Sequence, residues 1–138
     1  PAWNLLDWAE TESGSFKQII SPKHEKQQPP VRIYSRKAES NQPLTLVESR
    51  SHGSQALEDY LIENNLQISS RVASGSSLKI CLVAEGKADI YPRMGPTMEW
   101  DVAAGDAIYR YSGKEEPHSS ELVFNKENLL NPSFVYGF

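Results

Sequence analysis

Apolar and polar positions alternate in short runs along most of the chain, and the periods change often enough to predict both strands and helices. Leu5-Leu6-Asp7-Trp8-Ala9 and Phe16-Lys17-Gln18-Ile19 read as two strands around a Ser13-Gly14-Ser15 turn. Val31 to Ser35 alternates as a third strand, and Leu44 to Glu48 as a fourth, separated by the turn residues Asn41-Gln42-Pro43. Ser54 stands where it can cap a helix whose apolar side, Leu57, Tyr60 and Leu61, has helical spacing, and Asn64-Asn65 closes that helix. Ile68 to Val72 suits a short strand. The dense run Leu78 to Ala84 predicts a helix buried on most sides, capped by Gly86.

Ala88 to Tyr91 is the next expected strand, and Pro92 to Glu99 an expected loop. Trp100-Asp101 opens a further helix with Val102, Ala103, Ala104, Ala107, Ile108 and Tyr111 on its apolar side and Gly113 as its stop. The polar stretch Lys114 to Ser120 comes next, then expected strands at Leu122 to Phe124 and Phe134 to Tyr136 around an Asn125 to Asn128 turn. There is no internal repeat. Mixed strands and helices define an α/β class, a mixed β-sheet flanked by helices.

The 138 residues make one domain's worth of sequence, or a large piece of a bigger domain. A strand signal so soon after Pro1 creates the expectation that polypeptide precedes it. With 14 basic against 18 acidic residues the net charge is −4, which argues against nucleic-acid binding but leaves room for a small phosphorylated ligand held by local bases. Lys17 to Lys37 collects much of the positive charge, either an anion-attracting surface or a solvated loop. One cysteine, Cys81, excludes an internal disulfide framework. No run has the roughly 18–20 apolar residues of a membrane span. Pro1 to Glu10 carries no signal-peptide pattern, and Asn131 is followed by Pro132, so it is no glycosylation acceptor. The expected setting is the cytoplasm.

Three loop-to-helix junctions carry the candidate chemistry, because free N–H groups at a helix start favour anions. They are Ser49-Arg50-Ser51-His52, Gly75-Ser76-Ser77-Leu78-Lys79, and Trp100-Asp101 with Ala103-Ala104-Gly105 behind it. The second reads as a phosphate cradle or as a simple cap; the P-loop spacing is absent. Asp101 reads as a helix cap or as one ligand of a divalent cation, which needs further acids; Glu99 and Asp106 qualify only by proximity. His24, His52 and His118 lack zinc spacing. Cys81 has no evident base to activate it. Trp3, Trp8 and Trp100 are expected in the core or at a contact between subdomains.

Together, Gly75 to Arg93, Gly95-Pro96-Thr97 and the Trp100-Asp-Val-Ala-Ala-Gly motif resemble the inositol monophosphatase superfamily and, within it, the 3′(2′),5′-bisphosphate nucleotidases. The tail Asn125 to Phe134 is similar to the same branch. Lys79 and Arg93, a lysine and an arginine where inositol-specific enzymes carry a small and an acidic residue, suit a second phosphate on the substrate.

The resemblance implies that residues 1–138 are the C-terminal subdomain of a Mg²⁺-dependent phosphatase. The activity implied is hydrolysis of 3′-phosphoadenosine 5′-phosphate in sulfur assimilation, with inhibition by lithium. Asp101 would be the metal ligand; Ser51, His52, Ser76, Lys79 and Arg93 would bind the nucleotide. The resemblance places the family's other metal ligands, a glutamate pair and an Asp-Pro-x-Asp-Gly-Thr motif, in an N-terminal half that this sequence does not include, and the Asp-Pro-x-Asp-Gly-Thr motif occurs nowhere in it. The chain alone is therefore expected to be inactive and to expose an apolar face on which it can self-associate. The alternatives are a fragment of an inositol- or fructose-phosphate phosphatase, and a non-catalytic module that binds a nucleotide or a partner.

Overall fold

The computed structural model describes residues 4–21, 23, 28–39, 41–50 and 54–137. Its first unit is an antiparallel meander of β1 (Leu5–Glu10), β2 (Gly14–Ile19) and β3 (Val31–Ile33). Trp8 pairs with Phe16 and Asp7 with Lys17. Strand alternation therefore puts Leu6, Trp8 and Phe16 on one face and Asp7, Ala9, Ser15, Lys17 and Ile33 on the other. The second face is the inner one: Ile33 and Ala9 join the core, and the buried Ser15 hydroxyl donates to the Ile108 carbonyl at 2.6 Å.

The second unit is a mixed sheet. β4 (Leu44–Ser49) pairs in parallel with β5 (Ile68–Ser74). On its other side β4 meets Ile90, also in parallel, with Val47 N–H donating to the Ile90 carbonyl at 2.8 Å. Ile90 leads into β6 (Tyr91–Arg93), which pairs antiparallel with β9 (Phe134–Tyr136). The strand order is thus β5-β4-β6-β9.

Two helical crossovers build that order. α1 (Gln55–Glu63) takes the chain from β4 to β5, and α2 (Leu78–Ala84) takes it back past β4 to β6. The steps run in opposite directions, so right-handed connections place the helices on opposite faces. Burial agrees. Leu44 and Leu46 pack with Leu57 and Leu61 of α1, while Val47 packs with Ile80, Val83 and Ala84 of α2. Val83 and Ile80 are almost completely enclosed, each such burial being worth roughly 1.5–3 kcal/mol.

The local signals act as expected at both helices. Ser54 Oγ accepts from Leu57 N–H at 3.2 Å. Gly86 ends α2 at φ +65°, a left-handed conformation in which a side chain would be strained. α3 (Glu99–Arg110) lies against α2, and Gly105 marks the closest approach.

Several expectations need correction. Ala103 and Ala104 are exposed, so Gly105, rather than the alanines, brings α3 close to α2. Trp100 is 65% exposed, so of the two places expected for it the core is excluded. The expected loop from Pro92 contains the end of β6 and the short β7 (Thr97–Met98), which pairs with β8 (Leu130–Asn131). Leu122 to Phe124 forms no strand. Leu122 is buried but Val123 is 67% exposed, and just beyond them a carboxylate rather than a ladder holds the Asn125 and Lys126 backbone. Among the described residues no helix is long and apolar enough to cross a membrane.

Candidate anion site at the carboxyl edge of the sheet

Parallel strands end on a common edge. β4 ends at Ser49 and runs into Arg50, β5 ends at Ser74 before Gly75-Ser76-Ser77, and β6 ends at Arg93 before the turn that leads to α3. Because α1 and α2 leave β4 and β5 for opposite faces, this edge is a topological switch point, the place where open α/β sheets form a crevice outside the strand ends. Of the three junctions singled out in the sequence, the described start of the first, Ser49-Arg50, and the second, Gly75-Ser76-Ser77, follow strands that end at this edge. Ser51 and His52 lie outside the described residues, as does His24.

Ser76 adopts φ +52° as the chain turns from β5 into α2, and its carbonyl accepts from Lys79 Nζ at 2.9 Å. Lys79 is only 7% exposed. Its ammonium lies 5.5 Å from the centre of the Tyr91 ring. Burial, and then the neighbouring Arg93 guanidinium, pushes its pKa below the ordinary lysine value. Arg93 Nη2 donates to the Pro96 carbonyl at 3.4 Å, and its Nε is buried without a partner. Among the described residues neither cation meets a carboxylate. A Cβ added to Gly75, at the end of β5, would touch nothing within 4 Å, so the loop borders open space.

Asp101 stands in the first turn of α3, exposed, with Oδ2 accepting from Met98 N–H at 3.0 Å. This is half of a capping box, with Asp101 in the third helical position rather than at the cap. The helix starts at Glu99, whose N–H donates to the Leu129 carbonyl at 2.9 Å. As a metal ligand Asp101 offers one carboxylate and no companions. Among the described residues no three His, Cys, Asp or Glu side chains converge to hold an ion. A hard cation needs about six oxygens, so Asp101 fits only as one donor to a shared site.

The two acids near Asp101 are engaged elsewhere. Glu99 is buried and accepts from Asn125 N–H at 2.6 Å and Lys126 N–H at 3.0 Å, with Lys126 Nζ at 2.6 Å. Lys126 foremost holds its carboxyl below the usual range. Glu99 is thus the clamp that docks the tail on α3; its only sequence signal was a charge beside Trp100. Asp106 is 2% exposed and accepts from Ser120 Oγ at 2.7 Å and Tyr136 Oη at 3.0 Å. Cys81 is buried and its thiol is pushed up to about 12 by burial, with Asp7 adding to the effect, which removes it as a nucleophile. His118 instead pairs with Ser35 Oγ through Nε2 at 2.5 Å and stacks on Tyr109.

The buried Lys79 and the half-buried Arg93 stand beside the switch point of a mixed α/β sheet, an arrangement whose charge favours an anion. The inositol monophosphatase family model matches residues 4–121, and the chain belongs to that family.

Over 95 residues the chain is 43% identical to the 3′(2′),5′-bisphosphate nucleotidase CysQ of Escherichia coli K12. That match takes in 67% of the chain and 38% of the relative, so the chain spans well under half the length of this curated protein. A protein from Rhizobium leguminosarum bv. phaseoli, described only by its position 5′ of pss, is 72% identical over 69 residues, which are 44% of this chain and 73% of that protein. The crystal structure of CysQ from Bacteroides thetaiotaomicron superposes with a TM-score of 0.69 at 37% identity, over 98% of this chain and 54% of that one. Staphylococcal IMPase-II shares the fold at 18% identity, with a TM-score of 0.62 over 96% of this chain and 47% of that one.

Proposed function

We propose that residues 1–138 are the C-terminal, phosphate-binding part of a Mg²⁺-dependent 3′(2′),5′-bisphosphate nucleotidase that hydrolyses 3′-phosphoadenosine 5′-phosphate to AMP and phosphate. The observation that carries this reading is the pairing of Lys79 and Arg93, two cations with no carboxylate partner among the described residues, at the carboxyl edge of the sheet. A buried ammonium with no counter-charge is costly unless an anion supplies it. Two such cations suit a ligand with two phosphates better than an uncharged polyol. The similarity to nucleotidases named CysQ points the same way.

In this reading Lys79 and Arg93 neutralise the phosphate that is not cleaved and thereby fix the nucleotide in register. Ser76 turns the backbone so that its carbonyl holds the Lys79 ammonium in place. Ser51 and His52 complete the substrate loop. Asp101 donates one carboxylate oxygen to Mg²⁺, which when bound supplies charge stabilisation at the phosphoryl oxygens and an acidified water. The remaining acids come from polypeptide outside these 138 residues, so this stretch alone turns over no substrate. The outer face of the meander, with Leu6 43% exposed beside the stacked Trp8 and Phe16, is where the rest of the enzyme packs, or a second copy when that part is missing. The setting is cytoplasmic, in sulfur metabolism.

The test is phosphate release from 3′-phosphoadenosine 5′-phosphate, inositol 1-phosphate and fructose 1,6-bisphosphate, by the full-length protein and by residues 1–138, with and without Mg²⁺. Turnover of the nucleotide by the full-length protein with Mg²⁺, and none by residues 1–138, is the expected result. Preference for either sugar phosphate would overturn the substrate assignment. Nucleotide binding without turnover by the full-length protein would favour the non-catalytic module.

A further inference from the structure

Among the described residues two groups hold the Lys79 ammonium, and neither carries a charge. The Ser76 carbonyl accepts from it at 2.9 Å, and the ring of Tyr91 faces it with its centre 5.5 Å away. The charged group that acts on it is Arg93, whose like charge adds to burial in favouring loss of the lysine proton. A carbonyl oxygen and an aromatic face are both electron-rich, so they fix an ammonium without cancelling its charge. A carboxylate in either place would hold the lysine as firmly and leave no net charge for an anion.

The sheet holds the Tyr91 ring in place. Tyr91 opens β6 and is 5% exposed. Its backbone pairs with Tyr136 of β9, and its ring meets that of Phe134 at 79°, with centres 6.1 Å apart. Arg93 lies two residues further along the same strand, so strand alternation sends both side chains to one face. One strand therefore supplies the second cation of the site and the surface on which the first one rests.

We propose that Tyr91 is a positioning residue of the phosphate site: the face of its ring fixes the Lys79 ammonium, free of any counter-charge from the protein, so that Lys79 selects substrates with a second phosphate. Selection of the second phosphate rests on the nucleotidase reading above, whereas the hold of the ring on Lys79 does not.

Three replacements of Tyr91 in the full-length protein separate the charge of the ring face from its packing. Tyr91→Phe keeps the face, and Tyr91→Leu removes it. A phenylalanine trifluorinated on the ring keeps the shape and withdraws the negative charge from the face. Circular dichroism checks each fold; where Tyr91→Leu fails to fold, the fluorinated ring carries the test. The first readout is the titration of Lys79, followed by NMR at its ε-carbon. Its midpoint is expected to stay in place with Tyr91→Phe and to fall with the other two, because the face favours the protonated lysine. The second readout is the ratio of kcat/KM for 3′-phosphoadenosine 5′-phosphate to that for 3′-AMP. This ratio is expected to survive Tyr91→Phe and to fall about 3- to 30-fold with the other two, chiefly through KM for the bisphosphate. A Lys79 midpoint unmoved by the fluorinated ring would overturn the hold of Tyr91 on Lys79. A moved midpoint with an unmoved ratio would overturn its part in selection. A starting protein without preference for the bisphosphate would overturn the nucleotidase reading and selection with it, and the titration would still decide the hold.

Discussion

Gly105 approaches Ile80 so closely that an added Cβ would sit 2.8 Å from Ile80 Cδ1 and 3.1 Å from Ile80 Cβ. The contact joins the helix that carries Asp101 to the helix that carries Lys79. It gives the glycine of the Trp-Asp-Val-Ala-Ala-Gly motif a packing role distinct from the chemistry of its aspartate.

Gly105→Val is accordingly expected to destabilise the protein by about 1–3 kcal/mol, measured by urea denaturation, even though valine is the better helix former. Ile80→Val removes the nearest atom, and in the double variant it should return part of the loss. Strict additivity of the two changes would show that the contact is not what constrains position 105.

Asp7 poses the opposite problem. It faces the core from β1 with Oδ1 buried and unpartnered, and burial, then the Glu85 charge, raises its pKa against the weaker pull of Lys17. A raised folded-state pKa means that the folded protein holds the proton more tightly than the unfolded chain. The stabilisation is complete below the ordinary value and is lost as pH rises through the folded one. At neutral pH Asp7→Asn should therefore stabilise the protein, by about 1 kcal/mol. Denaturation curves at pH 4 and pH 7 check this: the gain should shrink at the lower pH, and a loss of stability at pH 7 would contradict the burial argument for Asp7.

His118 carries the reverse sign. Burial beside Tyr109 and Ser35 pushes its pKa below the ordinary histidine value. The unfolded chain then binds the proton more readily. Stability is full above the ordinary histidine pKa and falls as pH drops through the lowered folded value. The His118 ring titration followed by NMR should have its midpoint below that of a free histidine. His118→Gln, which keeps a polar partner for Ser35, should flatten the pH dependence of stability across that window. A midpoint at or above the ordinary value would refute the desolvation of the ring.

Much of the fold was legible because its cues are local. Leu57, Tyr60 and Leu61 repeat at helical spacing behind Ser54, and Leu78 to Ala84 is too apolar to sit anywhere but inside. The errors fall where distant partners decide. Leu122 to Phe124 has strand composition, yet the Glu99 carboxylate, far away in sequence, fixes Asn125 and Lys126 just beyond it. Thr97 and Met98 form a ladder only because Leu130 and Asn131 reach them. Ala103 and Ala104 carry the right composition for a helix contact, but the rotation of α3 turns Gly105 inward instead.

The candidate site was legible as residues, through resemblance, but not as an arrangement. The encounter of Lys79 with Arg93 depends on β5 and β6 flanking β4 in parallel, which no local pattern encodes. That Glu99 and Asp106 are occupied by Lys126, Ser120 and Tyr136, while Asp101 is exposed and bonds the Met98 N–H, likewise required the tertiary contacts.

The functional reading rests on Lys79 and Arg93 holding a phosphate that is not cleaved. The most direct measurement compares kcat/KM of the full-length protein for 3′-phosphoadenosine 5′-phosphate and for 3′-AMP, which lacks the second phosphate, before and after Lys79→Ala. The expected result is a loss of at least about tenfold for the bisphosphate, the effect of one charge-assisted contact, with little change for 3′-AMP. Equal losses for both substrates would show that Lys79 serves the fold or the reacting phosphate, and would overturn its assignment to the second phosphate.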